Sequence, residues 1–142
     1  MRFWDASALV PLLVTQAHTR RLTALFRVDP VAIVWWGSAV ECASAVARLE
    51  RAGLLSARDS TQALARLDSL TRAWQEIQPT QGVRDTARRL LRVHDLRASD
   101  ALQLAAAIAA AEARPSGLPF ACLDERLSAA AAREGFEVVA GS

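Results

Sequence analysis

Four carboxylates, Asp5, Glu41, Asp100 and Asp124, are the side chains of this sequence best placed to do chemistry. The chain carries 15 acids, and local environment separates these four from the rest. They sit in the stretches Phe3-Trp4-Asp5-Ala6-Ser7-Ala8-Leu9, Ala39-Val40-Glu41-Cys42-Ala43, Leu96-Arg97-Ala98-Ser99-Asp100-Ala101-Leu102-Gln103-Leu104 and Ala121-Cys122-Leu123-Asp124. Their neighbours are mainly apolar or small. Asp29, Asp59, Asp68, Asp85 and Glu112 stand near turns, arginines or polar residues and read as solvated. An acid bordering an apolar face needs a compensating partner. Carboxylates gathered together repel, and a hard divalent cation relieves them. All-oxygen ligands favour Mg²⁺ or Mn²⁺ over zinc. His18 and His94 lack a zinc-like partner spacing.

Each acid also has an ordinary structural use. Ser38-Ala39-Val40-Glu41 matches a capping box. Asp5 and Asp124 each precede a helix-compatible run and fit its N-cap. Ser99 fits a cap for the helix holding Asp100, whose charge suits the N-terminal dipole. Loss of apo stability in an Asp→Asn variant would favour capping; unchanged or increased stability would favour crowded carboxylates.

The elements that must position these acids alternate between strand and helix. Strands are expected at 2–4, 31–35, 76–78, 120–123 and 137–139. Helices are expected at 6–14, 17–28, 39–52, 57–73, 82–93, 96–113 and 127–133. Pro11 is placed near the first turn of its helix. Gly53 and Gly135 close two helices, and Pro115-Ser116-Gly117 ends the Asp100 helix. Arg84, Arg88 and Arg92 fall four apart on one helix. Such alternation predicts a single α/β domain over 1–142, three layers α/β/α around a short, mostly parallel sheet. Functional groups gather at the carboxyl ends of strands in such sheets. Asp5 and Asp124 each follow a predicted strand directly, so they belong to one edge.

All 17 basic residues are arginine, and net charge is +2. With four of the acids withdrawn into one pocket, seventeen arginines face eleven acids, a balance of +6. An acidic hole in a basic surface suits a metal-dependent enzyme acting on a polyanion. Cys42 and Cys122 lie in apolar runs and read as buried hydrophobes of a reducing, cytoplasmic compartment. The start of the chain meets Asp5 too early for a secretory signal. A receiver domain needs a lysine beside its phosphorylated acid, and the sequence has none. A dinucleotide-binding domain needs a glycine-rich first turn, which Asp5-Ala6-Ser7 does not supply.

The four motifs, together with Cys122-Leu123-Asp124-Glu125-Arg126-Leu127, an alanine run and Gly135, resemble the PIN domain, and within it the VapC toxins of bacterial toxin–antitoxin pairs. The resemblance covers essentially the whole chain. Cys122 departs from it, standing where many relatives carry threonine or serine. What the resemblance implies is a Mg²⁺-dependent endoribonuclease (Mn²⁺ as a substitute) with Asp5, Glu41, Asp100 and Asp124 as its catalytic and metal-binding set. It further implies a homodimer and a cognate antitoxin partner, in a heterotetramer or larger assembly. Ser7 is a candidate to hold Asp5 or a water of the site, with helix capping as its alternative. Arg97 and Arg126 are candidates for phosphate contacts, with pairing to nearby acids on the surface as their alternative. Trp35 and Trp36 fit base stacking, a partner's peptide, the core or a dimer interface. Trp74 lies near the edge of the helices spanning 39–73, a candidate antitoxin groove. The rival reading is a PIN-like module that binds RNA or protein without cutting.

Overall fold

A computed structural model describes residues 1–139. Five strands, β1 (Arg2–Trp4), β2 (Ala32–Trp35), β3 (Gln75–Ile77), β4 (Phe120–Ala121) and β5 (Val138–Val139), pair in the order β3-β2-β1-β4-β5. Every pairing is parallel, so the sheet is wholly rather than mostly parallel. Seven helices cover it: α1 (Ala6–Leu13), α2 (Thr19–Val28), α3 (Ser38–Arg51), α4 (Ala57–Ala73), α5 (Gln81–Val93), α6 (Ala98–Ala111) and α7 (Glu125–Arg133). Among the described residues no helix is long and apolar enough to cross a membrane.

The two-residue alternation of a strand explains the layers. Phe3, Ile33 and Trp35 pack with Val83, Ala87 and Leu90 of α5, the alanines of α6, and Leu127 and Ala131 of α7. Trp4, Ala32 and Val34 point the other way, into a second core with Leu9, Leu22, Cys42, Val46, Ala63 and Leu67 of α1 to α4. The sheet therefore lies between two helical layers, as the alternating pattern predicts. α5 pairs with α6, whose Ala101, Ala105, Ala106 and Ala107 are all buried; their small side chains let the backbones approach closely.

Element ends differ from expectation where side chains or turns intervene. β4 stops at Ala121, so Asp124 does not follow it directly. The Cys122 N–H still reaches Val139 O at 3.3 Å, but the Leu123 N–H donates to Ser7 Oγ instead of to a strand. α6 ends at Ala111, because Glu112 (φ 48°) and Ala113 (φ 67°) turn left-handed to redirect the chain. Left-handed backbone costs an L-residue roughly 1–2 kcal/mol. Gly53 (φ 75°) and Gly135 (φ 100°) make the same kind of turn without that cost. After each, an amide reaches back to close its helix, Leu54 N to Leu49 O at 2.9 Å and Phe136 N to Ala131 O at 3.0 Å. Pro11 lies in the second turn of α1, where it forfeits one helical hydrogen bond.

Candidate active site

The carboxyl edge of the sheet gathers the four acids from four separate places. Asp5 is the first residue beyond β1, and its N–H donates to Ala121 O at 3.0 Å. Its side chain caps α1: Oδ2 accepts from Ser7 N–H at 3.0 Å and from Ser7 Oγ at 2.5 Å. Ser7 Oγ in turn accepts from Leu123 N–H at 3.0 Å, which ties the ends of β1 and β4 together. Of the two uses foreseen for Ser7, the structure shows the support of Asp5; the cap of α1 is Asp5 itself, and Ser7 lies inside the helix. Cys122 Sγ lies 3.7 Å from Ser7 Oγ and 3.7 Å from Asp5 Oδ2. A thiol there keeps weak contacts in place of a hydroxyl's stronger ones. Cys42 and Cys122 are free and buried, and burial pushes both thiols up to about 12, so neither offers a thiolate.

Asp124 is the N-cap of α7, and its Oδ1 accepts from Leu127 N–H at 2.8 Å. Asp100 stands at the third position of α6 and accepts from Arg97 N–H at 3.3 Å. Ser99 does not cap α6; the N-cap position belongs to Arg97, and Asp100 supplies the returning bond. The capping box expected for Glu41 is also absent. Gly37 precedes α3, and Ser38 is already its first residue. A Cβ on Gly37 would meet Trp35 Nε1 at 2.5 Å, so only glycine lets the chain turn this close to the indole.

Glu41 is held from across the fold. Gln103, buried on α6, donates its Nε2 to Ser38 Oγ at 3.0 Å and to Glu41 Oε2 in a short contact. Sequence reasoning missed this role. Its sequence signal is one polar residue at a buried position in an otherwise alanine- and leucine-lined helix face.

Asp5, Glu41, Asp100 and Asp124 line one cavity of about 390 Å³, together with Ser7 and Ser99. Burial raises the Asp5 carboxyl, against the pull of its Ser7 bonds, and the Asp100 charge adds to the rise. Burial, helped by the charges of Asp5 and Asp100, lifts Glu41 to about 7. Asp100 is raised by burial, with Asp124 adding. Among the described residues none of the four has an ion-pair partner. Arg48 lines the same cavity but pairs with none of the four among the described residues, and four oxygen-donor acids left unpaired together fit a hard dication. As the side chains stand, no three of the described acids close a coordination cage. Glu41 is turned to Gln103, and Asp5 and Asp124 to the amides they cap.

Arg97 and Arg126 line an adjoining hollow of about 560 Å³ that shares Ser99, Asp100 and Asp124 with the acid cavity. Arg126 also lies 3.8 Å from Asp95, an exposed pair of small energetic weight. Trp35 is buried in the core, whereas Trp36 is half exposed. Trp74 is buried and donates to Glu76 at 2.9 Å. A larger hollow, about 840 Å³, runs along α5 beside Asp85, Arg88, Arg89 and Arg92. None of the four converging acids lines it.

No family model matches the chain, and no curated protein matches it. Among solved structures, that of FitAcB from Neisseria gonorrhoeae shares the fold, with a TM-score of 0.67 over 97% of this chain and 96% of that chain. Sequence identity is 17%, a likeness of fold alone. The chain folds as a single PIN-like α/β domain.

Proposed function

We propose that this chain is a Mg²⁺-dependent endoribonuclease of the VapC toxin type, with Mn²⁺ able to substitute. Its substrate is single-stranded or structured RNA, and a cognate antitoxin silences it. One observation carries the reading: four carboxylates from β1, α3, α6 and the start of α7 share a cavity and have no ion-pair partner among the described residues. The fold shared with FitAcB supports it.

Asp5, Asp100 and Asp124 would hold the cation directly or through water, and Glu41 would complete the set. When bound, the cation supplies an activated water and polarises the scissile phosphate. The chain's own groups do the rest. Glu41 Oε2 is engaged by Gln103, which leaves Oε1 to orient the attacking water and take its proton. Asp100 is the second candidate for this duty. Attack by water in line with the leaving oxygen leaves a 5′-phosphate and a 3′-hydroxyl and makes no use of the RNA 2′-hydroxyl. Arg97 and Arg126, in the adjoining hollow, are placed to contact flanking phosphates. A homodimer and a heterotetramer or larger complex with antitoxin belong to the same proposal. Trp36, left half exposed, is available to a partner or a base.

The test is RNA cleavage by the wild-type chain and by Asp100→Asn in added Mg²⁺, with the product ends identified. The variant is expected to lose more than about a hundredfold in rate. Substantial surviving activity removes the metal role of Asp100. Wild-type protein that binds RNA without cutting it favours the silent binding module.

A further inference from the structure

We infer that the acid cavity is the middle of a groove open at both ends, and that Arg48 binds a backbone phosphate of the RNA on the side away from Arg97 and Arg126. This rests on the nuclease reading above and adds to it the path of the strand.

Glu41, Ser44, Ala45 and Arg48 recur on α3 at three- and four-residue intervals, so they share one helical face. All four line the acid cavity. The helix rise puts the Arg48 backbone about 10 Å along α3 from Glu41. Ser44 and Ala45 between them are small and leave the groove open along that distance. Gln16, from the connection between α1 and α2, lines the same cavity.

Arg48 is exposed and makes no ion pair or side-chain hydrogen bond among the described residues. That is unusual for a guanidinium sharing a cavity with four carboxylates, since such forks readily close on an acid. It is left with its donors free at the edge of a negative pocket. At the far side the second hollow takes over at Ser99, Asp100 and Asp124 and leads to Arg97 and Arg126. The order along the groove is therefore guanidinium, carboxylates, guanidinium. A pocket for a strand terminus needs positive charge at one end and a wall at the other. Positive charge at both ends fits phosphates on both sides of the cut, with the scissile one over the acids.

The experiment measures binding of a 5′-fluorescein oligouridine of about a dozen nucleotides to the full chain, by anisotropy in EDTA across a salt series. Arg48→Ala is expected to weaken binding roughly five- to tenfold and to reduce the slope of log K against log salt by about 0.7. Arg48→Lys keeps the slope but recovers only part of the affinity, since it loses the fork. Arg72→Ala, on α4 and bonded to Ser69, reports the effect of removing an arginine outside the groove and leaves both unchanged. Wild-type affinity and slope in Arg48→Ala overturn the assignment, while wild-type cutting in Mg²⁺ keeps the nuclease reading standing. A wild-type chain that neither binds nor cuts ends the nuclease reading and this one with it. A closed circular RNA, which has no ends, gives a second measure. It is expected to be cut as readily as the linear form, and an intact circle beside a cut linear strand overturns the open-ended groove.

Discussion

The two sides of the acid cavity are built on different principles. On the side of β1 and α7, the carboxylates also hold the fold together. Asp5 caps α1, Asp124 caps α7, and Ser7 binds Asp5 to the end of β4 through Leu123. On the side of α3, Glu41 caps nothing and is held by one buried amide from another helix. Capping and the proposed cation binding are therefore not rivals at Asp5 and Asp124, since each caps through one oxygen, Oδ2 and Oδ1 respectively, and would keep the other for a cation. The melting comparison that the sequence suggested as a discriminator cannot separate the two roles there. At Glu41 it can, because the structural duty is missing.

The sharpest way to break this contrast is Gln103→Leu. It strips the donor from Ser38 and Glu41, both of which Gln103 alone holds among the described residues. Leaving buried acceptors unpaired costs about 1–3 kcal/mol. RNA cleavage is expected to fall by roughly tenfold or more at saturating substrate, because an unheld Glu41 is misplaced. Chemical denaturation and single-turnover rates report the two effects separately. A variant that is less stable but fully active denies Gln103 a positioning role.

The next effect is a split in stability between the two sides. Asp124→Ala in the metal-free protein is expected to lose about 1 kcal/mol, the ordinary cost of a lost N-cap. Glu41→Gln is expected to lose nothing or to gain, since a charge disfavoured by burial and by Asp5 and Asp100 is removed. Equal losses in urea unfolding would erase the distinction drawn here.

A further effect is the dependence of metal-free stability on pH. Glu41 titrates at about 7 in the fold against an ordinary 4.5, and Asp5 and Asp100 are raised as well. Between 4.5 and about 7 the folded chain therefore holds more protons than the unfolded one, and stability falls as pH rises. Glu134 runs the opposite way. His94 at 2.8 Å and Arg89 at 3.2 Å hold its carboxyl below the usual value, so its contribution is present above 4.5 and lost as pH falls below that. Without metal, the unfolding midpoint should be higher at pH 5.5 than at pH 7.5, and saturating Mg²⁺ should narrow the gap. A flat profile between those two values, measured calorimetrically, contradicts the crowding of these acids.

Much of the architecture was legible because strands and helices announce themselves by periodicity. The order of twelve elements follows the expected one, and α4 begins and ends where the pattern of Leu64, Leu67 and Leu70 places it. The ends of β4 and α6 were not legible. A hydroxyl 116 residues distant takes the Leu123 amide, and the left-handed pair Glu112 and Ala113 carries no glycine to signal the turn. The same limit applied at the site. The local context of the acids separated the four from eleven others, but the capping box imagined for Ser38 and Glu41 lost to an amide 62 residues further along the chain.

The sequence by itself determined which side chains carry charge in apolar surroundings and on which edge of a parallel sheet they emerge, because both follow from local pattern and strand direction. Only the tertiary structure decided who holds them: Gln103 for Glu41, the Leu123 amide for the Ser7 hydroxyl that supports Asp5, and no protein cation within pairing distance of any of the four among the described residues. Those facts depend on distances between residues far apart in the chain, which hydrophobic spacing alone does not specify.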